Sequence, residues 1–596
     1  MATNWVLAAI EQHSYSTSVA LADATRSLSY SEMWKKSGAL AARLGALGNR
    51  PIAITMERGL EEAIAILAVL RAGAFYVPID PKAPAARISE LLEEVQPAAI
   101  LATASAASAL PRSARPIIVD LAIEGEASVP NAPVQLDADA IMYSLFTSGS
   151  TGRPKTVDVT HANFATFLGG MKEVLQPPNE PVICSVTSSS FDIFALELFL
   201  PLTTGGTFFR VSDAHVISMH LLGHTLTKLQ PDVVQATPTL WRALLDNGFV
   251  FQRATRIMCG GEAMDGTLAK RLVQASAGGD VLNVYGPTEA TVWATWHRVR
   301  GDETIVPIGR ALPGYDVLVV DHEGRQVRDG TRGEIAILGA GVAKGYRGRP
   351  ELTQERFRDL VWSDGSKRRA YFTGDVGEMK PEGLIFWGRL DHQVKIDGHR
   401  IELGEIEAAL GATPGVKQAC VVVKSRDDDE HKRLWAFVTA SDSGPTPTEA
   451  SLRAALSARL PSYMVPAKLV VIDAMPLTVS NKIDRKQLLE RCVSKAEGGS
   501  LDAFETFLLT TLRQILRRPR VGADDDFFDH GGNSIRVVQL ITKLDNAFGL
   551  KVPFKTITDQ RSTRKIAAYF KADPARYTGL LATASELVAE QAPVGA

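Results

Sequence analysis

Cysteine is scarce in this sequence, and what there is does not cluster. Cys184, Cys259, Cys420 and Cys492 lie far apart and show none of the spacings that hold a zinc ion or frame a small secreted domain. They read as reduced thiols of a cytoplasmic protein. Long apolar runs are missing too: the longest, Ala63 to Leu70, is far too short to cross a bilayer. The stretch Met1 to Ser14 lacks a basic region leading into a continuous apolar run and a small-residue cleavage site, so it does not read as a signal peptide. Excess charge of either sign is absent as well. The 65 Lys plus Arg meet 67 Asp plus Glu, a formal net charge of −2, which excludes a basic nucleic-acid footprint and a membrane-surface protein. No repeat of about 20–50 residues stands out, and no long exposed heptad argues for a coiled-coil dimer.

What remains is ordinary globular composition at multidomain length. The 596 residues, 45% hydrophobic and 22% charged, are too many for one core and imply two to four domains. Up to about residue 490, short β-branched runs alternate with helical patterns, as strand–helix units should. Ile52 to Met56 precedes the helical stretch Leu60 to Ala72, and Val233 to Thr239 precedes another. Ile257 to Gly261 reads as a strand ending in a turn. Past Gly388 a charged segment, Gly388 to Glu407, opens what reads as a small separate α/β unit. Cys492 to Leu501 has linker composition, and the helical patterns Phe504 to Leu516 and Ile535 to Phe548 follow, separated by an acidic loop. The weak periodicity of Thr578 to Ala596 reads as a tail.

The segment Leu145-Phe-Thr-Ser-Gly-Ser-Thr-Gly-Arg-Pro-Lys155 follows an apolar run that ends as a strand would. Its hydroxyls, and the backbone N–H groups that glycine lets approach closely, suit phosphate oxygens, and Lys155 adds a cation. The Walker spacing is absent. The string resembles the phosphate-binding signature of the adenylate-forming superfamily: acyl-CoA ligases, luciferases and adenylation domains of nonribosomal peptide synthetases. The resemblance covers essentially the whole chain, with further motifs in family order. It implies ATP contacts from Thr147, Ser148, Gly149, Ser150, Thr151, Gly152 and Lys155, and from Gly261 and Glu262. In Asn283-Val-Tyr-Gly-Pro-Thr-Glu289 it implies nucleotide contacts from Asn283 and Gly286, with Tyr285 on adenine. Thr288 would lie on the α-phosphate and Glu289 would hold Mg²⁺. In Tyr371-Phe-Thr-Gly-Asp375 it places Asp375 on the ribose hydroxyls, with Arg389 near them and Asp391 as the hinge. In Asn481-Lys482-Ile-Asp-Arg it makes Lys482 the catalytic lysine that bridges substrate carboxylate and nucleotide oxygens. Two positions depart from the family: Thr156 stands where Gly is usual, and Asp397 where Arg is usual.

Asp526-Phe-Phe-Asp-His-Gly-Gly-Asn-Ser534 resembles the attachment site of peptidyl carrier proteins, with Asn533 in place of the usual Asp or His. A Ser at a helix start exposes its hydroxyl beside the partly positive N-terminus, which suits 4'-phosphopantetheine on Ser534. The expected fold is therefore α/β and multidomain. An adenylation core would span residues 1–388, a small α+β subdomain 389–490 and a linker 491–502. An all-α four-helix carrier would follow at 503–575 and a tail at 576–596.

Phe191-Asp192-Ile-Phe resembles the segment that opens the amino-acid pocket of peptide-synthetase adenylation domains, where Asp192 would pair with the substrate α-ammonium. A buried carboxylate without a partner is costly, so a cationic ligand makes sense of it. The specificity positions match Asp192, Ile193, Leu196, Gln235, Met258, Gly260, Val284, Val292 and Trp293, a pattern that resembles the one for glycine. Alanine or another small carboxylic acid is the next reading, and a catalytically idle carrier or scaffold is a further one. No His-His-x-x-x-Asp-Gly string of a condensation domain occurs, so the resemblance implies a free-standing adenylation–carrier didomain. Its expected partners are an amino acid, a phosphopantetheinyl transferase and a tailoring or condensation enzyme acting in trans. An MbtH-like helper is left open, and neither nucleic acid nor membrane is expected.

Overall fold

The computed structural model describes residues 5–122, 137–149, 154–361, 366–391, 393–396, 398–426, 429–441, 444–476, 483–491, 501–516, 521–528, 532 and 534–590. They form two compact units: Met1–Val416 with Ala450–Val465, and Lys417–Glu449 with Pro466–Ala596.

The larger unit is built on two mainly parallel sheets. One is nine-stranded; Thr295–Arg298, Val281–Tyr285, Arg256–Gly260, Val233–Ala236, Val182–Ser185 and Thr207–Arg210 are neighbours in it. The other is seven-stranded and carries Lys155–Thr160, Ile141–Thr147, Phe75–Pro78 and Pro51–Thr55. The helix Leu60–Arg71 explains why the longest apolar run of the chain is not a membrane span. It packs against strands of both sheets, and Ala63 to Leu70 are fully buried, as a helix apolar on every side should be. The preceding helix Tyr30–Leu44 is started by a capping box, in which Ser29 and Glu32 satisfy each other's backbone N–H groups. A third, antiparallel sheet contains the long strand Lys367–Lys380 paired with Gly383–Arg389, in a register that sets Asp375 opposite Arg389. A short hairpin follows, Gln393–Ile396 with His399–Glu402, and Gly398 supplies the positive φ of +79° at its turn.

In the smaller unit, the strands Val416–Arg426, Asp429–Ala440 and Lys468–Val471 form a sheet. Helices Ala503–Leu516, Ser534–Phe548, Phe554–Gln560 and Thr563–Lys571 enclose a core around Phe504, Leu508, Val537 and Leu540. The expected tail differs in part. Pro574–Glu590 is a helix whose Tyr577, Leu580 and Ala584 join that same core, and Tyr577 donates its hydroxyl to Asp502 at 2.8 Å. Its apolar positions Tyr577, Leu580, Leu581, Ala584 and Leu587 do recur at helical spacing. Small residues between them dilute the pattern. No helix among the described residues is long and apolar enough to cross a membrane. Cys184, Cys259 and Cys420 are buried.

Candidate functional site

A cavity of about 870 Å³ opens in the larger unit where the strand ends of both sheets meet the hairpin. Loops leaving the carboxyl ends of Ile141–Thr147, Val182–Ser185, Val233–Ala236 and Val281–Tyr285 line it, as expected for ligand sites of α/β sheets.

On one side lies a charge cluster. Glu289 sits in the turn Thr288–Ala290 with no exposure at all. Its carboxylate accepts from the Tyr346 hydroxyl at 2.8 Å and from Arg400 Nη1 at 2.7 Å, and it pairs with Lys155 Nζ at 3.3 Å. Burial opposes its charge, but Arg400 and Lys155 hold the carboxyl well below the usual carboxylate range. Burial lowers the Lys155 ammonium to about 8, against the pull of Glu289. Of the residues expected in the phosphate loop, Thr147 and Lys155 face each other across adjacent strands, and Ser148 donates to the Arg400 carbonyl at 2.9 Å. Gly149 ends the described part of that loop; Ser150, Thr151 and Gly152 lie outside the described residues. Thr156 is buried in its strand opposite Phe146.

A second cluster gathers Tyr285, Asp375, Arg389 and Asp391. The Tyr285 hydroxyl donates to Asp375 Oδ2 at 2.5 Å, and Arg389 donates both to Asp375 and, at 2.7 and 2.9 Å, to the two oxygens of Asp391. Asn283 spends its amide on the Pro307 carbonyl at 2.7 Å, and Glu262 accepts from Thr239 at the start of the helix Pro238–Asp246. Gly261 lines the cavity at φ +89°. A Cβ on Gly286 would come within 2.4 Å of the Val292 carbonyl, so only glycine fits there.

The third part is a closed-off recess. Asp192 immediately precedes the buried helix Ile193–Leu202 and lines the cavity with Ile193, Gln235, Thr288 and Trp293. Burial pushes its carboxyl up to about 6, against hydrogen bonds from Thr288 and the Ile193 backbone. Thr291 and Val292 both take positive φ, +57° and +70°; for a β-branched residue this is strained, and it turns Trp293 inward. Trp293 Nε1 donates to Gln235 at 2.9 Å, and a Cβ on Gly260 would lie 2.7 Å from the indole. Leu196, Met258, Val284 and Val292 back this wall from the core rather than lining the cavity.

Lys395, His399 and Arg400, all on the hairpin, are among the lining residues that the sequence did not single out. Lys395 is half-buried, and desolvation pushes its ammonium down against the pull of Asp375 and Asp192. His399 stacks on Tyr463 with ring centroids 3.7 Å apart. The available signal was basic residues set between β-branched ones, Val394-Lys395-Ile396 and His399-Arg400-Ile401. Tyr346 gave no signal. Asn481, Lys482, Asp397 and Asn533 lie outside the described residues. Ser534 is the first residue of its helix, and Asp526 accepts from Arg561 Nε at 2.5 Å.

Among the described residues no group of three or more His, Cys, Asp and Glu could hold a metal by itself. Glu289 still fits Mg²⁺, which is commonly bound by one or two carboxylates with substrate phosphates and water.

Residues 9–347 match the AMP-binding enzyme family. The chain belongs to that family. Residues 405–482 match the AMP-binding enzyme C-terminal domain and 506–570 the phosphopantetheine attachment site. The AMP-binding enzyme described here is 36% identical over 556 residues to a dimodular nonribosomal peptide synthase of Bacillus subtilis, covering 91% of this chain and 23% of that protein. It thus spans only about a quarter of that relative's length, or less of others. Its fold matches an adenylation–carrier protein solved with a vinylsulfonamide inhibitor at TM-score 0.79 and 27% identity, over 96% of this chain and 98% of that one. It also matches a four-domain nonribosomal peptide synthetase solved with AMP and glycine at TM-score 0.61 and 32% identity, over 96% of this chain and 43% of the other. The adenylate-forming α/β domain, the small C-terminal subdomain and the helical carrier correspond to those structures. The family's chemistry uses ATP with Mg²⁺, and the attachment domain carries 4'-phosphopantetheine on a serine.

Proposed function

We propose that this protein activates glycine with ATP as its adenylate, releasing pyrophosphate, and then loads it onto the phosphopantetheine of its own carrier at Ser534. The observation that carries the reading is Asp192: a carboxylate that lines the cavity, buried, and pushed up to about 6 chiefly by that burial. An α-ammonium is the ligand that relieves it. Trp293, pinned by Gln235 and closing on Gly260, fills the space beyond, where a side chain would go. Excluding larger substrates by steric clash is effective, and glycine has no smaller amino-acid competitor. The relative solved with AMP and glycine supports the same choice.

In this reading Asp375 holds the ribose, and Lys155 and Thr288 face the phosphates. Mg²⁺ held by Glu289 neutralises phosphate charge when bound. A substrate carboxylate oxygen attacks the α-phosphorus as the bond to pyrophosphate breaks, with Lys482 assigned to the developing charge by resemblance. Asp391 serves as the hinge between the two half-reactions, and a trans-acting enzyme accepts the loaded group. The test is amino-acid-dependent ATP–pyrophosphate exchange across all amino acids, followed by loading with Ser534→Ala as comparison. Strong exchange with glycine alone, and loading lost in Ser534→Ala, is the expected result. Exchange with alanine or another acid keeps the chemistry and sinks glycine. No exchange with any acid, with a helper protein present, returns the reading to a scaffold.

A further inference from the structure

The loop of residues 186–192, between the strand Val182–Ser185 and the helix Ile193–Leu202, lines the cavity along its whole length. It ends at Asp192, yet its middle, Thr187-Ser-Ser-Ser190, has no apolar side chain to anchor it by burial. A buried charge network lies behind its base. Glu197, in the second turn of the helix, reaches back to the strand end. Its Oε2 accepts from the Ser185 hydroxyl at 2.6 Å and the Thr187 N–H at 3.3 Å, and its Oε1 from the Thr187 hydroxyl at 2.6 Å. Arg210 ends the strand Thr207–Arg210 and donates through Nη1 to the Ser185 hydroxyl at 2.9 Å and the Thr187 carbonyl at 2.5 Å. Its guanidinium lies 4.6 Å from the Phe194 ring centre, and its Nη2 meets Glu62 of the helix Leu60–Arg71 at 2.7 Å. Arg58 donates to the Val186 carbonyl and pairs with Asp213 at 2.8 Å. Ser185, Glu62, Glu197 and Arg210 are all buried.

Burying two carboxylates and a guanidinium is a costly way to fill a core, and apolar residues of the same volume often do as well or better. What they lack is direction. A guanidinium only donates, so the Ser185 hydroxyl accepts from Arg210 and gives its one proton to Glu197, which accepts at both oxygens as an ionised carboxylate. We infer that Glu197 and Arg210 are positioning residues that close the 186–192 loop at its base and so place Asp192 for the substrate ammonium. The inference rests on the role proposed above for Asp192 and adds the device that sets its position. Glu197 stands on the helix that Asp192 immediately precedes, and it bonds residues 185 and 187 on the strand side. One side chain therefore ties the two ends of the loop together, and Asp192 moves away from the strand end only when a buried bond breaks. None of these bonds goes to a group assigned to ATP, so their loss falls on the amino acid.

The experiment uses the full chain, with ATP and glycine as probes. Glu197→Gln is isosteric and sets an amide donor against the donors of Ser185 and Thr187; Thr187→Val removes one hydroxyl, and Thr187→Ser keeps it. In Glu197→Gln, kcat/KM for glycine in ATP–pyrophosphate exchange should fall about ten- to a hundredfold, the cost of misplacing a binding group by about 1 Å. The KM for ATP should stay within about threefold of wild type, because only one substrate loses its contact. Thr187→Val should show the same asymmetry to a lesser degree, and Thr187→Ser should return toward wild type. Hydrogen exchange of residues 186–192 without substrate should speed in Glu197→Gln and Thr187→Val but not in Thr187→Ser. The pH at which the KM for glycine begins to rise should move down in Glu197→Gln, toward that of an ordinary carboxylate, as Asp192 gains solvent. A Glu197→Gln protein whose kcat/KM for glycine stays within about threefold of wild type overturns the inference. So does one in which both KM values rise together while the loop exchanges as in wild type. Failure of the function itself is distinguishable: wild-type pyrophosphate exchange is then absent with every amino acid, while hydrogen exchange still reads the loop.

Discussion

Replacing Asp192 with Asn separates what this carboxylate costs the fold from what it does for the substrate. Its acid is pushed from 3.8 up to about 6, chiefly by burial. At about 1.4 kcal/mol per unit, the ionised group costs the ligand-free protein about 3 kcal/mol at neutral pH. The sign follows from the raised value. Below about pH 4 the carboxyl is neutral in both folded and unfolded chains and costs nothing. The cost grows as pH rises through about 6 and is constant above it. Asp192→Asn, isosteric and neutral, should therefore stabilise the ligand-free protein by up to about 3 kcal/mol at pH 7.5, with the gain vanishing toward pH 4. With substrate the balance reverses, because removing one partner of a buried ion pair costs about 3–5 kcal/mol. That predicts a loss in kcat/KM of about two to three and a half orders of magnitude for the amino acid, with the KM for ATP nearly unchanged. Denaturant unfolding at pH 4.5 and 7.5, and exchange kinetics at saturating ATP, measure both sides. The wild-type KM for the amino acid should also rise as pH falls below about 6, as Asp192 takes up its proton. A variant no more stable at pH 7.5, or one whose exchange stays within threefold of wild type, refutes the argument.

Trp293→Ala should open the recess: exchange with a larger apolar amino acid relative to glycine should rise at least tenfold, since one methylene of steric exclusion is already worth about that much. The same change removes a fully buried indole and leaves Gln235 without its 2.9 Å donor, for a loss of about 3–5 kcal/mol in denaturant unfolding; continued preference for glycine alone would show that another residue limits the pocket. Leu580→Ala should destabilise the helical domain by about 2–5 kcal/mol, read as an earlier transition in calorimetry of the full chain. A passive tail would give a change within about 0.5 kcal/mol.

Much of the molecule was legible in the order of its residues. Periodicity located the alternating strands and helices because each element must show one face or stripe to a core. Leu60–Arg71 was recognisable as a helix whose apolar run is too short for a membrane span, and the fold shows it buried. Glycines at loop ends and hydroxyl-rich strings marked segments that line the cavity, Thr147, Ser148, Gly286 and Thr288 among them, since few other residues permit such close backbone approach. The helix Pro574–Glu590 was not legible as a core element. Its small residues weaken the pattern, and burial of Tyr577 and Leu580 depends on partners more than sixty residues away.

The tertiary structure alone decided which charges meet. Glu289, Tyr346 and Arg400 are 57 and 54 residues apart along the chain, and no local spacing relates them. Only sheet register and the hairpin's seat bring one carboxylate, two cations and a phenol together. The inward turn of Trp293 is of the same kind, because it follows from two strained residues held by the surrounding fold. Sequence by itself determined which groups are available: a carboxylate at Asp192, hydroxyls and a lysine between Thr147 and Lys155, a serine at a helix start. Packing decided where each charge is buried and against what. Coulombic and desolvation energies depend on distance and burial, which residue order carries only through the fold.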